Sequence, residues 1–190
     1  MPHSRPQLKR GITIIELVMV MIIIGLIAAM SVPRINMSGY KSDASARAVR
    51  GALQVAQRNA ITRQSNIVVS FDLATRRLRV FEDVNDNGVV DAGERVTYVP
   101  LEEGSQFAAP PMGTVSGAPG GVAVVGSALR TIGGLTSLVM RRDGSASSDV
   151  EVYLTVRAAV YTEYRAVVLV PSTGSADLYR YTGSAWRRLN

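Results

Sequence analysis

The sequence has 190 residues, no cysteine, a single histidine and a formal net charge of +6 at pH 7. The absence of cysteine excludes disulfides, thiolate nucleophiles and cysteine metal sites. The one histidine, His3, lies in a short basic segment at the N-terminus, so the rest of the chain cannot use imidazole for acid–base catalysis or metal binding.

A long apolar run begins directly after this basic segment. Between Ile12 and Val32 the only ionisable side chain is Glu16, and the run has about the 20 residues needed to cross a hydrocarbon core. Residues 1–11 are therefore predicted to be a basic leader that stays in the cytoplasm, and residues 12–33 a transmembrane helix. A cleavable secretory signal is the alternative, although its apolar part would be shorter and would not begin with an acid.

The apolar run carries a recognisable motif at its start. The residues from Lys9 to Val20 read Lys-Arg-Gly-Ile-Thr-Ile-Ile-Glu-Leu-Val-Met-Val. This motif resembles the class III signal of type IV pilins and type II secretion pseudopilins, which usually have Phe where this chain has Ile12. The resemblance implies that a prepilin peptidase cuts between Gly11 and Ile12 and methylates the new N-terminus.

A carboxylate inside a membrane segment needs an explanation of its own. At the bilayer centre a charged group costs at least roughly 2.5–3.5 kcal/mol, so Glu16 is expected to have a positive partner at the same depth. After cleavage, the α-amino group of Ile12 supplies that charge, either in the same chain or from a neighbouring copy. Glu16 is therefore predicted to serve subunit assembly. A signal anchor with one acid near the interface is the alternative.

Behind Pro33 the pattern becomes that of an amphipathic helix. Residues of one stripe recur at steps of three and four positions: Ala44, Ala48, Ala52, Leu53, Ala56, Ala60 and Ile61. Residues 34–64 are predicted to be the amphipathic half of one long helix that begins at Ile12 and is kinked at Pro33. The small alanines would let a sheet approach the helix closely.

From Asn66 onward the period changes to two residues, which predicts β-strands. Strands are expected at 67–71, 78–81, 95–101, 122–125, 137–141, 150–157, 163–170, 178–181 and 186–189, with residues 102–121 mostly loop. Short links between neighbouring strands imply antiparallel sheets. The predicted fold class is α+β and pilin-like: a long N-terminal helix, its first half transmembrane, packs on a globular antiparallel β domain of residues 65–190.

Two segments in the later half add a second resemblance. Met140-Arg141-Arg142-Asp143-Gly144-Ser145, and the stretch from Tyr164 that ends in Ser172-Thr173-Gly174, resemble the end of minor pseudopilins of the GspH/FimT group. Some members of that group bind DNA through a basic motif directly after the Thr-Gly. This chain has Ser175-Ala176-Asp177 there, so no nucleic-acid-binding residue is assigned.

The segment 83–94 has the residue types of a calcium loop. Gly88 takes the place where the backbone turns sharply, and the Val89 carbonyl would be a ligand. The predicted side-chain ligands are Asp83, Asn85, Asn87, Asp91 and Glu94. Because predicted strands, not helices, flank the segment, a polar inter-strand loop with an Asn87-Gly88 turn is the alternative.

Arginine pairs provide the remaining functional hypothesis. Arg76-Arg77, Arg141-Arg142 and Arg187-Arg188 are expected to be solvated surface pairs. Alternatively, they form a patch that follows a phosphate backbone, with Tyr179, Tyr181 and Trp186 stacking on bases.

The sequence predicts a structural subunit and not an enzyme, because it has neither a Gly-rich phosphate loop nor an identifiable catalytic base. We expect a minor pilin or pseudopilin of a type II secretion pseudopilus or a type IV pilus. A DNA-binding minor pilin for DNA uptake and a major pilin are the alternatives. Expected partners are prepilin peptidase, other pilins, the inner-membrane assembly platform and the lipid bilayer. No cofactor other than calcium is expected, and the globular domain would lie in the periplasm.

Overall fold

The computed structural model describes residues 11–31 and 37–189. Its helices are α1 (Ile14–Ser31) and α2 (Met37–Arg63), and a short 3₁₀ turn spans Tyr161–Glu163. The strands are β1 (Asn66–Asp72), β2 (Arg77–Asp83), β3 (Val96–Pro100), β4 (Gln106–Phe107), β5 (Val124–Val125), β6 (Arg130–Ile132), β7 (Leu135–Met140), β8 (Val150–Thr155), β9 (Arg165–Leu169), β10 (Ala176–Tyr181) and β11 (Trp186–Leu189).

Helix α1 forms a compact unit of its own, separate from the unit that begins at Met37. Within the described part of the chain, no helix combines the length and the apolarity that crossing a membrane requires. The predicted transmembrane segment 12–33 and the predicted kink at Pro33 reach into residues 32–36, which lie outside the described residues. The predicted continuity of one helix from Ile12 to Gln64 lies outside them for the same reason.

Helix α2 ends at Arg63, one residue before the predicted end, and Gln64 has a left-handed φ of 55°. Its buried face differs in part from the predicted stripe. Ala44 and Ala48 are only half-buried and Ile61 is 45% exposed. The residues that are buried are Ser42, Ser45, Ala46, Val49, Ala52, Leu53, Ala56 and Ala60. Alanines occur on several faces of α2, so their spacing alone does not determine which face packs against the sheets.

The strands form two antiparallel sheets. Sheet A has the order β3-β2-β1-β7-β6, and sheet B the order β11-β10-β9-β8-β4, with β5 also paired to β8. The prediction that short links join antiparallel strands is confirmed by two hairpins, in which β1 pairs with β2 and β8 pairs with β9. The sequence analysis missed β6 and the turn that joins it to β7, where Gly133 and Gly134 both have positive φ.

One hydrophobic core joins the buried face of α2 to the inner faces of both sheets. Leu53 of α2, Phe71 of β1 and Leu154 of β8 are typical members, each at most 1% exposed. Full burial of side chains of this size contributes about 1.5–3 kcal/mol each. A second, smaller cluster covers the outer face of sheet A, which is turned away from α2: Val68, Phe81, Ile132 and Val139.

Arg165 fixes the first turns of α2 to sheet B. Its side chain is 1% exposed and forms an ion pair with Asp43 of α2. It also donates to the carbonyl oxygens of Thr162 at 2.8 Å, Tyr164 at 3.0 Å and Gly39 at 3.4 Å. Because a buried ion that loses its partner costs about 3–5 kcal/mol, this contact holds the start of the helix against β9.

Candidate functional site

The predicted processing site lies in an open part of the chain. Residues 11–13 are not helical, and Ile12 is 78% exposed, just before α1 begins at Ile14. Among the described residues other than its chain neighbour, none has an atom within 4 Å of the place where a side chain on Gly11 would begin. A groove on the surface of α1 is lined by Ile12, Glu16, Leu17 and Val20, so the structure brings two of the three predicted N-terminal site residues together.

Glu16 also takes part in the capped first turn of α1, which was not predicted. The backbone N–H of Glu16 donates to both the carbonyl oxygen (3.1 Å) and the hydroxyl oxygen (3.3 Å) of Thr13. Thr13 therefore caps α1 through the N–H of Glu16, and the two residues have the Thr-x-x-Glu spacing of a capping box. A carboxylate in the first turn also interacts favourably with the helix dipole. The spacing Thr13-Ile14-Ile15-Glu16 was the available signal.

The segment 83–94 leaves β2 and folds over the outer face of sheet A. Asp83 is 3% exposed, and its carboxylate accepts hydrogen bonds from the backbone N–H groups of Asn87 (3.0 Å) and Gly88 (2.9 Å). The side-chain amides of Asn85 and Asn87 both donate to the Asp91 carboxylate, at 2.8 and 2.7 Å. Glu94 accepts from the N–H of Asp91 at 3.0 Å. Hydrogen bonds thus link the side chains of Asn85, Asn87 and Asp91 directly, whereas Asp83 and Glu94 bind backbone N–H groups of the same segment.

The donor set of this segment suits a hard cation. Gly88 has a φ of 70°, as the sixth position of a calcium loop requires, and the ligands would be three carboxylates, two amides and the Val89 carbonyl. Rotating the two amides by 180° presents oxygen to Asp91 in place of nitrogen. Among the described residues, no group of three or more His, Cys, Asp or Glu side chains is arranged to hold a metal ion. The three predicted carboxylates, Asp83, Asp91 and Glu94, are therefore not gathered around one point in this structure.

The two turns that resemble the GspH/FimT group meet on α2. The amide nitrogen of Gln57 donates to the carbonyl oxygens of Gly144 (2.9 Å) and Thr173 (2.6 Å). Gly144 and Gly174 both have positive φ. A Cβ on Gly174 would lie 2.2 Å from the Gln57 amide nitrogen, so a side chain there would displace this contact. The Asp-Gly and Thr-Gly turns are therefore docking points for the helix.

Two of the aromatic residues considered for base stacking, Tyr181 and Trp186, pack against other rings of the protein. Tyr181 is 1% exposed, and the Trp186 ring lies 5.1 Å from it and 5.3 Å from the ring of Tyr153. The Trp186 indole N–H donates to the carbonyl oxygen of Gly113 at 3.2 Å. The expectation that Tyr181 stacks on a base is wrong, because its burial leaves no ring face accessible to a ligand.

Two of the three arginine pairs contain a residue with a partner. Arg77 lies 3.7 Å from the Asp72 carboxylate, with its guanidinium 4.2 Å from the centre of the Tyr98 ring. Arg188 donates to Asp177 at 2.6 Å. Asp177 lies three residues after Gly174, and its ion pair with Arg188 balances the local charge there.

A second buried carboxylate was not predicted as a site residue. Glu151 of β8 is 5% exposed and accepts from the backbone N–H groups of Val115 (3.0 Å) and Ser116 (3.1 Å) and from the Tyr153 hydroxyl. Burial and this hydrogen bond to Glu151 raise the pKa of Tyr153. The segment 108–123 is thereby fixed to the outer face of sheet B.

Comparison with known proteins gives similar solved structures but no family match. No known family model matches the chain, and no curated protein matches it significantly. The chain is similar to two solved structures of the minor pseudopilin EpsH from the type II secretion system of Vibrio cholerae. One has 15% identity and a TM-score of 0.46, and covers 78% of this chain and 96% of that chain. The other has 18% identity and a TM-score of 0.48, and covers 73% and 92%. Both neighbours are pseudopilins, the class that the sequence resembles.

Proposed function

We propose that this chain is a minor pilin or pseudopilin, a structural subunit of a type II secretion pseudopilus or a type IV pilus. The observation that carries the proposal is the Gly11-Ile12 bond, which is exposed, non-helical and directly ahead of the Thr13–Glu16 capping box. A processing enzyme can reach such a bond, and cutting there leaves the capped start of α1 intact. The wider resemblance of Lys9 to Val20 identifies the enzyme as prepilin peptidase.

In this proposal residues 12–33 anchor the chain in the inner membrane as a single span, supported by the apolar composition of residues 12–32. The unit from Met37 onward lies in the periplasm and joins a filament with other pilins through the assembly platform. The α-amino group of Ile12, once freed by cleavage, supplies the positive partner for the Glu16 carboxylate. Their shared groove on α1 supports pairing within a chain, and a neighbouring copy offers the same pair of charges.

Mass spectrometry of the membrane-extracted chain tests the processing step. In cells that have prepilin peptidase, we expect Ile12 as the methylated N-terminus. Gly11→Leu should leave the leader attached, while Gly11→Ala should still be cut. Recovery of an intact leader from the wild type, or a cut near Ala29, would refute the proposal.

Two substitutions of Glu16 separate its two roles. Glu16→Gln keeps the capping box, in which Gln is also effective, and removes the charge. Glu16→Ala removes both. If the charge serves assembly, both variants should be processed normally and enter sheared filaments less than the wild type. Normal incorporation of the Gln variant with reduced incorporation of the Ala variant would assign the residue to helix capping alone.

We also propose that the segment 83–94 binds calcium, supported by its calcium-loop spacing of oxygen-bearing residues and by the positive φ of Gly88. The two alternative functions have their own tests. High copy number in sheared filaments would identify a major pilin. For DNA uptake, substitution of Arg187 and Arg188 by alanine should reduce DNA retention, and unchanged retention would reject that function.

A further inference from the structure

Three arginines line one cleft on the outer face of sheet A. Arg130 lies on β6, and Arg141 and Arg142 follow β7 in the turn that leads to Asp143. The cleft has a volume of about 290 Å³ and also includes the side chains of Asn66, Asp86, Val139 and Ser147. Buried Val139 makes part of its surface apolar. The volume is close to the lower end of the range for ligand pockets, roughly 300–1,000 Å³.

None of these arginines has a close ion pair within the described part of the chain, and Arg141 is attracted to Asp143 at longer range. None of the three side chains has a hydrogen bond or an ion pair with a described residue, whereas Arg63, Arg165 and Arg188 each have a carboxylate partner. Three guanidinium groups around one cleft repel one another unless an anion lies between them. An anionic ligand would relieve this repulsion.

The two acids of the cleft are already engaged by other donors. Asp86 accepts from the side-chain amide of Asn66 at 3.0 Å. Asp143 accepts from the hydroxyl (2.6 Å) and the backbone N–H (2.9 Å) of Ser145, and these two hydrogen bonds hold its pKa below the usual value. Neither acid lies within ion-pair distance of the three arginines. The cleft therefore has free hydrogen-bond donors and occupied acceptors.

The surroundings of the cleft limit the size of its ligand. The adjoining cleft shares Arg130 and Val139 but is lined by Asp83, Asp86 and Asn87 of the segment 83–94. A long polyanion such as a nucleic acid would pass from the arginines into this negatively charged segment. Arg77 and Arg188, from the other two arginine pairs, are paired with Asp72 and Asp177. These charges favour a compact anion over a polymer.

We propose that Arg130, Arg141 and Arg142 bind the paired carboxylates of an acidic segment of a partner protein. Guanidinium groups bind carboxylates with two parallel hydrogen bonds, and three of them can hold two carboxylates side by side. The apolar surface of Val139 accommodates the methylene groups of the acidic side chains. The proposal concerns the unit from Met37 onward and does not require the chain to be processed or assembled.

Titration of the full-length chain in a neutral detergent tests the proposal directly. The probe is the blocked tetrapeptide Gly-Asp-Glu-Gly, and the readout is the NMR shift of the arginine Nε–H signals. We expect saturable shifts at Arg130, Arg141 and Arg142. The matched amide peptide, Gly-Asn-Gln-Gly, should produce none.

Single substitutions supply the second readout. Arg130→Gln, Arg141→Gln and Arg142→Gln should each weaken binding about tenfold, the effect of losing one charged hydrogen bond. Arg187→Gln, in an exposed pair on sheet B, should leave it unchanged and is the matched control. Equal binding of both peptides, or an equal loss in the control, would overturn the proposal. Tighter binding of inorganic phosphate or of a twelve-nucleotide single strand than of the acidic peptide would also overturn it.

Discussion

Two segments of this chain cover the outer face of a sheet, and each is held by a buried carboxylate that accepts two consecutive backbone N–H groups. On sheet A, Asp83 holds Asn87 and Gly88 of the segment 83–94. On sheet B, Glu151 holds Val115 and Ser116 of the segment 108–123. The chemistry of the two contacts is the same, but the distance along the chain differs.

In the segment 83–94 the carboxylate and the N–H groups are four and five positions apart. Such a turn can form before the rest of the chain is folded. Its remaining side-chain oxygens are those of the proposed calcium site. Glu151 lies 36 positions from Val115, so its contact forms only when β8 and the 108–123 segment are both in place. The first segment is organised locally, and the second depends on the tertiary structure.

Glu151→Ala should have the largest effect on stability. The Ser116 N–H and the Tyr153 hydroxyl lose their acceptor, and the Val115 N–H keeps only the Tyr153 oxygen at 2.8 Å. We therefore expect the free energy of unfolding to fall by about 3 kcal/mol in urea denaturation. Glu151→Gln keeps one acceptor oxygen and should lose less. Glu103→Ala, at an exposed acid near the same segment, is the control. A loss below about 1 kcal/mol for Glu151→Ala would show that the segment is held by its apolar contacts instead.

Calcium should stabilise the locally organised segment only. At a calcium concentration of about 100 times the dissociation constant, the free energy of unfolding should rise by about 2.7 kcal/mol, because only the folded state binds. Asp91→Asn combined with Glu94→Gln keeps the shape of the segment and should abolish the gain. Glu151→Gln, which alters the other segment, should retain it. No calcium-dependent rise in the melting temperature of the wild type would leave only the turn interpretation.

Gln57 tests whether a single donor can hold two turns on a helix. Gln57→Ala should lower the free energy of unfolding by about 1–2 kcal/mol, since two carbonyl oxygens lose their donor. Gln57→Glu keeps the size but places a negative charge against those oxygens, so its loss should be at least as large at neutral pH. Gln54→Ala, one turn earlier on α2, should change stability by less than about 0.5 kcal/mol. Equal urea midpoints for the Gln57 and Gln54 variants would contradict the docking role.

Asp149 should give the smallest effect, visible only in acid. The hydroxyl and backbone N–H of Ser127 donate to its carboxylate and lower its pKa. Because the folded-state pKa lies below the unfolded value of about 3.9, the stabilisation is present above that pH and is lost as the pH falls through the folded pKa. Solvent screening at this exposed site limits it to below about 1 kcal/mol. Asp149→Asn should weaken the dependence of the urea midpoint on pH below pH 5. The same dependence in the variant and the wild type would count against this contact.

The parts of the structure that were predictable are those in which neighbouring residues determine the outcome. The turn of residues 83–94 and the hairpins β1–β2 and β8–β9 are local, and all three are present in the structure. Strand β6 has only three residues and shows no alternation of its own, so no pattern of residues predicted it. The role of Glu151 was equally invisible, because an acid in a strand reads as solvent-facing until its distant partners are known.

The candidate site divides in the same way. The sequence singled out Gly11, Ile12 and Glu16 through one continuous motif, and the Thr13 cap was readable from the same residues. The cleft of Arg130, Arg141 and Arg142 required the pairing of β6 with β7, which places residue 130 opposite residue 137. A sequence reader sees one arginine pair and one distant arginine, and only the register of the sheet makes them neighbours.

The buried contact between Arg165 and the start of α2 has a mechanical consequence. A pull along α2 from its N-terminal end reaches β9 through Asp43 and Gly39 before it reaches the apolar side chains deeper in the core. Charge-assisted hydrogen bonds are directional and individually stronger than dispersion contacts, so they resist sliding along the helix axis more sharply. Tension would therefore be transferred to sheet B at the first turns of α2, and the remaining length of the helix would stay unloaded.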